Sequence, residues 1–384
     1  MNTKKFVPYS RQYIDSDDIN EVVEVLKSDW LTQGPKISEF EKKLSEYCGA
    51  KYAVVFNSGT SSLHGAYFAS GLAEGDEFIT TPNTFIATSN VGLYLNAVPV
   101  FVDIESDTGN INASLIEQKI TNKTKLIIPV HFAGHPVELE KIYNLANRYN
   151  IKVIEDACHA QGAKYKDEII GNCKYSDMAV FSFHPAKHIT TGEGGAVLTN
   201  SKDYYEKLLM FRTHGITREH FFSKPDGLWY YEMQDLGYNY RLTDIQAALG
   251  ISQLKKLDGF VKRRRDISEI YNKIFDKNSC FDIPVEKEYA YSSYHLYTIK
   301  LKDEYINKKA EIFSRMREEG LGVQVHYIPV HLHPYYKGLG FEKGTYPKAE
   351  GHYQRVISIP LYPSMNNEDI DYVIEKINYV FDNV

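Results

Sequence analysis

The stretch AVFSFHPAKHITTGEGGAVLTN, residues Ala179–Asn200, sets one lysine, Lys187, between an apolar run and a glycine-rich turn. A surface lysine needs no such frame. An amine that burial or neighbouring charge deprives of its proton becomes a nucleophile. AVFSF reads as a buried strand, and GEGG (Gly192–Gly195) as backbone that turns sharply or passes close to a ligand. Two readings of Lys187 stand here: an aimed nucleophile, or a loop lysine beside a glycine turn.

Upstream, KYAVVF, DEFITT, VPVFVD, TKLIIPV, IKVIED and MAVFSF are short β-branched runs at about one per helical unit. DDINEVVEVLKS and KISEFEKKLSEYC carry helical periodicity. This rhythm predicts an α/β fold, a mostly parallel sheet covered by helices on both faces. Downstream the character changes. One helical pattern is expected from about Leu242 to Phe275. It is followed by a strand (YHLYTIKL), a helix ending at Gly320, a strand (VQVHYIPV) and a last helix, NEDIDYVIEKINYVF. These make a smaller α+β lobe. The expected division is a large domain over 1–255, N-terminal segment included, and a small domain over 256–384.

The chain has 384 residues, 43% hydrophobic and 24% charged, with net charge −6. That balance argues against a nucleic-acid or membrane-surface binder, which shows basic excess. The run KRRR (Lys262–Arg265), flanked by Asp258 and Asp266, is expected on a solvated helix face. Four cysteines form no CxxC, and no signal-peptide pattern precedes them, so reduced thiols in the cytoplasm are expected. No apolar run reaches membrane-spanning length.

Ligands of open parallel sheets collect at the carboxyl ends of the strands. Four groups fall at such ends: NSGTS, HFAGH, EDACH and SFHPAK. Gly59, Thr60 and Ser61 open a helix, where backbone N–H groups can hold a phosphate; a plain helix cap is the alternative. Asp156 follows an apolar strand and suits the ring nitrogen of a pyridine cofactor, or a helix N-cap. His159 suits contact with that ring, or a core position. His184 and His188 flank Lys187 as proton carriers or as structural rings. His326, His331 and His333 lack a carboxylate at ligand spacing, so no metal is expected. No GxGxxG or GKS/T follows the early strands, which disfavours a dinucleotide oxidoreductase.

EDACHAQGA, SFHPAKHITTGEGGAVLTN and GYNYRLTDIQAALG, in this order, closely resemble the DegT/DnrJ/EryC1/StrS family of sugar-nucleotide aminotransferases. The resemblance covers nearly the whole chain. It implies fold type I and pyridoxal 5′-phosphate as cofactor. It implies that Lys187 is the Schiff-base lysine and proton carrier, and Asp156 the pyridinium partner. Thr60, Ser61 and Ser182 become phosphate ligands beside Gly59. Phe85 becomes the stacking aromatic, and His159 the ring contact where many members have glutamine. Asn239 reaches the phosphate from the neighbouring subunit of a homodimer with shared sites.

FVPYSRQYI, LTQG and QVHYIPVHLHPYY are most similar to the branch acting on UDP-2-acetamido-2,6-dideoxy-β-L-arabino-hexos-4-ulose in pseudaminic acid biosynthesis. That likeness implies substrate contacts from Tyr9, Thr32, Gln33, His184, Gln324, His326 and Tyr327, with L-glutamate as amino donor. The alternatives are a dTDP- or GDP-linked 4-keto-6-deoxyhexose, or a 3-dehydratase using pyridoxamine phosphate. The retained Lys187 disfavours the dehydratase, since members of that branch carry histidine there. A cofactor-binding protein without catalysis is disfavoured by the intact Lys187, Asp156 and Asn239.

Overall fold

The computed structural model describes residues 5–384; the first four residues of the expected large domain lie outside the described residues. Seven strands form the main sheet: β1 Tyr52–Phe56, β2 Glu77–Thr80, β3 Val98–Phe101, β4 Thr124–Ile127, β5 Lys152–Asp156, β6 Met178–Ser182 and β7 Gly195–Thr199. Their order is β1-β7-β6-β5-β4-β2-β3. From β6 to β3 all neighbours are parallel. Only β7 runs against its neighbours, β1 and β6. β7 is the tail of the opening stretch, so the chain leaves the sheet at Ser182, passes Lys187 and re-enters beside the strand it left.

Alternate residues of each strand feed two cores, because side chains in a strand alternate between faces. Val55, Ile127, Val153 and Phe181 pack on one face with Phe40, Leu44, Ile142 and Ile251. Val54, Phe56, Ile154 and Val180 pack on the other with Leu63, Leu208 and Phe211. Burial on both faces explains why the strands read as unbroken apolar runs.

The expected long helix is two, Asp244–Leu254 and Leu257–Phe275, broken at Lys255–Lys256. Leu257, Phe260 and Val261 still pack on the large core, whereas Ile267, Tyr271 and Phe275 belong to a separate one. The smaller lobe holds the antiparallel strands Phe281–Asp282, Tyr297–Leu301 and Val356–Ile359, with helices Lys309–Glu318 and Asn367–Asp382 against them. Two expectations change here. The first described residues join this lobe: Val7 is buried in its core, and the Val7 N–H donates to the Gly320 carbonyl at 2.9 Å. Helix Ser16–Leu26, by contrast, packs on helix Asp244–Leu254. VQVHYIPV is not a strand beyond Gln324, which pairs with Ser358. Pro329 offers no N–H to a ladder, and the chain turns its histidine and tyrosine toward the cleft.

Candidate active site

The carboxyl ends of β1, β5 and β6 open into one cleft of about 410 Å³ between the sheet and the smaller lobe. One end of it is the start of helix Gly59–Ala69. Ser58 caps that helix through a capping box: its hydroxyl accepts from Ser61 N–H at 3.1 Å, and Ser61 Oγ accepts from Ser58 N–H at 3.0 Å. Close backbone approach explains the glycines. A Cβ on Gly59 would lie 2.8 Å from Ser182 Cβ. One on Gly195 would lie 2.6 Å from the Ser58 carbonyl.

Asp156 ends β5, buried at 5% exposure. Its Oδ2 accepts from Thr88 Oγ1 at 2.6 Å, and its Oδ1 from Cys158 N–H at 3.2 Å. Thr88 is in turn 2.8 Å from Thr84. The preceding residue, Glu155, points to the opposite face. There it accepts from Ser176 Oγ at 2.5 Å and lies 2.8 Å from His131 Nε2. Strand alternation thus separates a structural carboxylate from one presented to the cleft. HFAGH accordingly contributes two buried histidines, His131 and His135, and only Val130 beside it reaches the cleft.

Lys187 lines the cleft between these groups, and burial lowers its ammonium below the usual lysine value. Cys158 and Asp156 oppose that shift. The Ser10 hydroxyl donates to the Ala186 carbonyl at 3.1 Å, holding the lysine's loop from the N-terminal side. His159 stands across the cleft with Nε2 3.0 Å from Tyr327 Oη, and its buried Nδ1 has no partner. His326 Nδ1 lies 2.7 Å from Ser358 Oγ. Burial drives His326 down to about 3 and His159 well below its ordinary value, so both rings are neutral.

Of the expected site residues, Gly59, Thr60, Phe85, Asp156, His159, Ser182, His184 and Lys187 line this cleft, as do Tyr9, His326 and Tyr327 from the smaller-lobe side. Ser61, Thr32, Gln33, Gln324 and Asn239 do not. The Ser61 hydroxyl is engaged in the cap and donates to Asn57 Oδ1 at 2.7 Å. Thr32 pairs with Thr243, and Gln33 is exposed. The Asn239 side chain is exposed, and its carbonyl accepts from Asn57 Nδ2 at 3.4 Å. His188 is buried, with Nε2 3.1 Å from the Ser293 carbonyl, so it is a structural ring here and not a carrier facing the cleft. His331 is buried 2.9 Å from Glu350. Sequence reading missed Thr88, Cys158 and His295. The Asp156 hydrogen bond is the signal for Thr88, and it crosses 68 residues of chain.

The arrangement can do amine chemistry on a bound carbonyl group. It offers a desolvated amine, a buried carboxylate to hold a protonated ring nitrogen, neutral aromatic rings and an anion-binding helix start. The chain matches the DegT/DnrJ/EryC1/StrS aminotransferase family over residues 12–378. It is 42% identical to the UDP-4-amino-4,6-dideoxy-N-acetyl-β-L-altrosamine transaminase of Campylobacter jejuni serotype O:2, over 98% of both chains. Its fold superposes on Helicobacter pylori PseC, an aminotransferase involved in pseudaminic acid biosynthesis. The TM-score is 0.92 at 36% identity, over 99% of this chain and 100% of that one. The PLP form of Spr1654 from Streptococcus pneumoniae superposes with TM-score 0.91 at 32% identity, covering 98% and 99%.

Proposed function

The chain belongs to the DegT/DnrJ/EryC1/StrS aminotransferase family, and on that premise we propose that it moves the amino group of L-glutamate onto C4 of UDP-2-acetamido-2,6-dideoxy-β-L-arabino-hexos-4-ulose. It is a sugar aminotransferase, and its cofactor is pyridoxal 5′-phosphate. Bound, that cofactor supplies a carbonyl that exchanges for an amine and a cationic ring that draws off negative charge. The observation that carries the reading is Lys187 and Asp156 in one cleft, beside the capped start of helix Gly59–Ala69.

Asp156, pinned by Thr88, is placed to keep the ring nitrogen protonated. Gly59, Thr60 and Ser182 hold the phosphate, while Ser61 holds the shape of the turn. Phe85 and His159 take the ring between them. Lys187 Nζ, its charge disfavoured by burial, takes the α-proton of glutamate and later delivers a proton to C4 of the sugar. Tyr9, His184, His326 and Tyr327 present hydroxyl and neutral imidazole groups to the sugar nucleotide. The likeness to the C. jejuni transaminase supports the UDP-linked sugar.

A homodimer completes the site. Leu228 is 104% exposed and Trp229 75%, and Phe222, Met233 and Leu236 are also exposed on the segment leading to Asn239. Such apolar exposure is typical of a surface that meets another subunit, and it supports the dimer. That contact would carry Asn239 toward the partner's phosphate site.

One titration tests the reading. Protein purified with pyridoxal phosphate should show the visible band of the lysine-bound cofactor. L-glutamate should bleach it, and the UDP-linked keto sugar should restore it. A band indifferent to glutamate overturns amino transfer. Bleaching without restoration rejects the sugar and directs the assay to dTDP- and GDP-linked 4-keto sugars.

A further inference from the structure

Arg264 lies in the KRRR run expected on a solvated face, yet it is wholly buried on helix Leu257–Phe275. Only Lys262 of that run is strongly exposed, at 75% of its side chain. Arg263 donates to the Met365 carbonyl at 2.7 Å, and Arg265 pairs with Glu286 at 2.6 Å. Arg264 makes no ion pair among the described residues. Its Nη1 donates to the carbonyls of Leu361 at 2.9 Å, His295 at 3.2 Å and Tyr294 at 3.4 Å, and its Nε has no acceptor. Burial pulls it down to about 9. An unpaired buried cation is strongly disfavoured, so its place in the fold calls for a reason.

The segment it holds forms the floor beneath the cleft. Ser293 N–H donates to the Gly134 carbonyl at 3.1 Å, and Ser293 Oγ to the His159 carbonyl at 3.2 Å. The Ser293 carbonyl meets His188 Nε2 at 3.1 Å. The fit is tight: a Cβ on Gly134 would lie 2.9 Å from His295 N. The His295 ring, buried, sits 4.3 Å from the His159 ring and 5.5 Å from the His188 ring.

We propose that Arg264 is a positioning residue for amino transfer: by clamping Tyr294 and His295 it seats the His295 ring behind His159 and so fixes the His159 face turned to the cleft. The charge has a second effect. The groups acting on His295 are His159, Lys187, His188 and Arg264; on His188 they are Arg264, Lys187 and the Ser293 carbonyl. Every side chain in that set is neutral or positive, so a proton on either ring meets repulsion as well as desolvation. The floor therefore stays uncharged under Lys187.

The inference rests on the roles proposed above for Lys187 and His159. Its test uses the holoenzyme with Arg264→Met, which keeps bulk without charge, and Arg264→Lys, which keeps charge without the fork. Thermal midpoint, kcat, glutamate KM and the ¹⁵N signals of the histidine rings from about pH 5 to 8 are compared with wild type. Arg264→Met should lower kcat per folded molecule by about 10- to 100-fold with little change in glutamate KM. The ¹⁵N signals of the His188 ring, on which Arg264 is the largest charge, should shift. Arg264→Lys should leave those signals in place and fall between the two in kcat. Unchanged kcat and unchanged ring signals in Arg264→Met, whatever its midpoint, would reduce Arg264 to a structural clamp and overturn the proposal. If Arg264→Met does not fold, Arg264→Lys decides: wild-type kcat overturns it. A wild-type band indifferent to glutamate would instead defeat the functional reading itself.

Discussion

At the scale of the residue, the roles proposed for Lys187 and Asp156 each have a test. Lys187→Ala removes the amine proposed to carry protons between donor and sugar, so steady-state transamination should vanish, and with it the visible band of the cofactor. Lys187→Arg should fare little better, because a guanidinium keeps its proton at ordinary pH. Appreciable turnover by Lys187→Ala would sink the assignment. Thr88→Val keeps the shape of Thr88 but deletes the 2.6 Å hydrogen bond to Asp156. A hydrogen bond to a charged group contributes about 1.5–3 kcal/mol. The bond is present without cofactor, so its loss should lower the thermal midpoint of the cofactor-free protein, and the loosened Asp156 should also weaken cofactor affinity in a fluorescence titration. Asp156 and Lys187 stood out in the sequence because one ends an apolar strand and the other lies between such a strand and a glycine turn. Thr88 was not, since its partner is distant in sequence. Arg264 was misread for a related reason: local charge density says nothing of which carbonyls wait inside the fold.

At the scale of the element, the sheet was largely readable and the returns were not. Six of the seven main strands announce themselves as apolar runs. β7 shares its letters with the glycine turn, and its pairing with β1 is an event of the tertiary fold. The break at Lys255–Lys256 leaves no Pro or Gly, so periodicity alone ran through it. Gly195 opens β7, and this tests the element directly. Gly195→Ala would put a Cβ 2.5 Å from Ser62 Oγ and 2.8 Å from Gly59 Cα, atoms of the capped turn. Overpacking against backbone should destabilise the protein by about 1–3 kcal/mol and weaken cofactor binding more than a remote substitution of equal thermal effect. Denaturant midpoints paired with cofactor titrations check it.

At the scale of the whole molecule, buried neutral histidines set the acid limit. Burial holds His64 at about 4 and His352 at about 3, below the ordinary 6.5. Between those values the unfolded chain binds protons that the folded chain refuses, so stability is full above pH 6.5 and falls as the pH drops toward 4. Each ring should withdraw about 1–2 kcal/mol by pH 5, seen as a falling midpoint in calorimetry. A midpoint flat from neutral pH to that value would contradict the buried neutral state. The proposed dimer has its own check. Inactive Lys187→Ala and Asn239→Ala proteins, mixed and allowed to exchange subunits, should recover roughly a quarter of the activity if each site borrows Asn239 from its partner. No recovery on proven exchange would confine the site to one subunit. The antiparallel return of β7 also has a consequence in time. Tyr52 pairs with Thr199 and Phe56 with Gly195, so a strand made early waits for one made much later. Contacts that distant slow folding. During synthesis or refolding, helices and local strand pairs should gather first, and the capacity to retain cofactor should arrive among the last events, when Gly195 finally reaches Ser58.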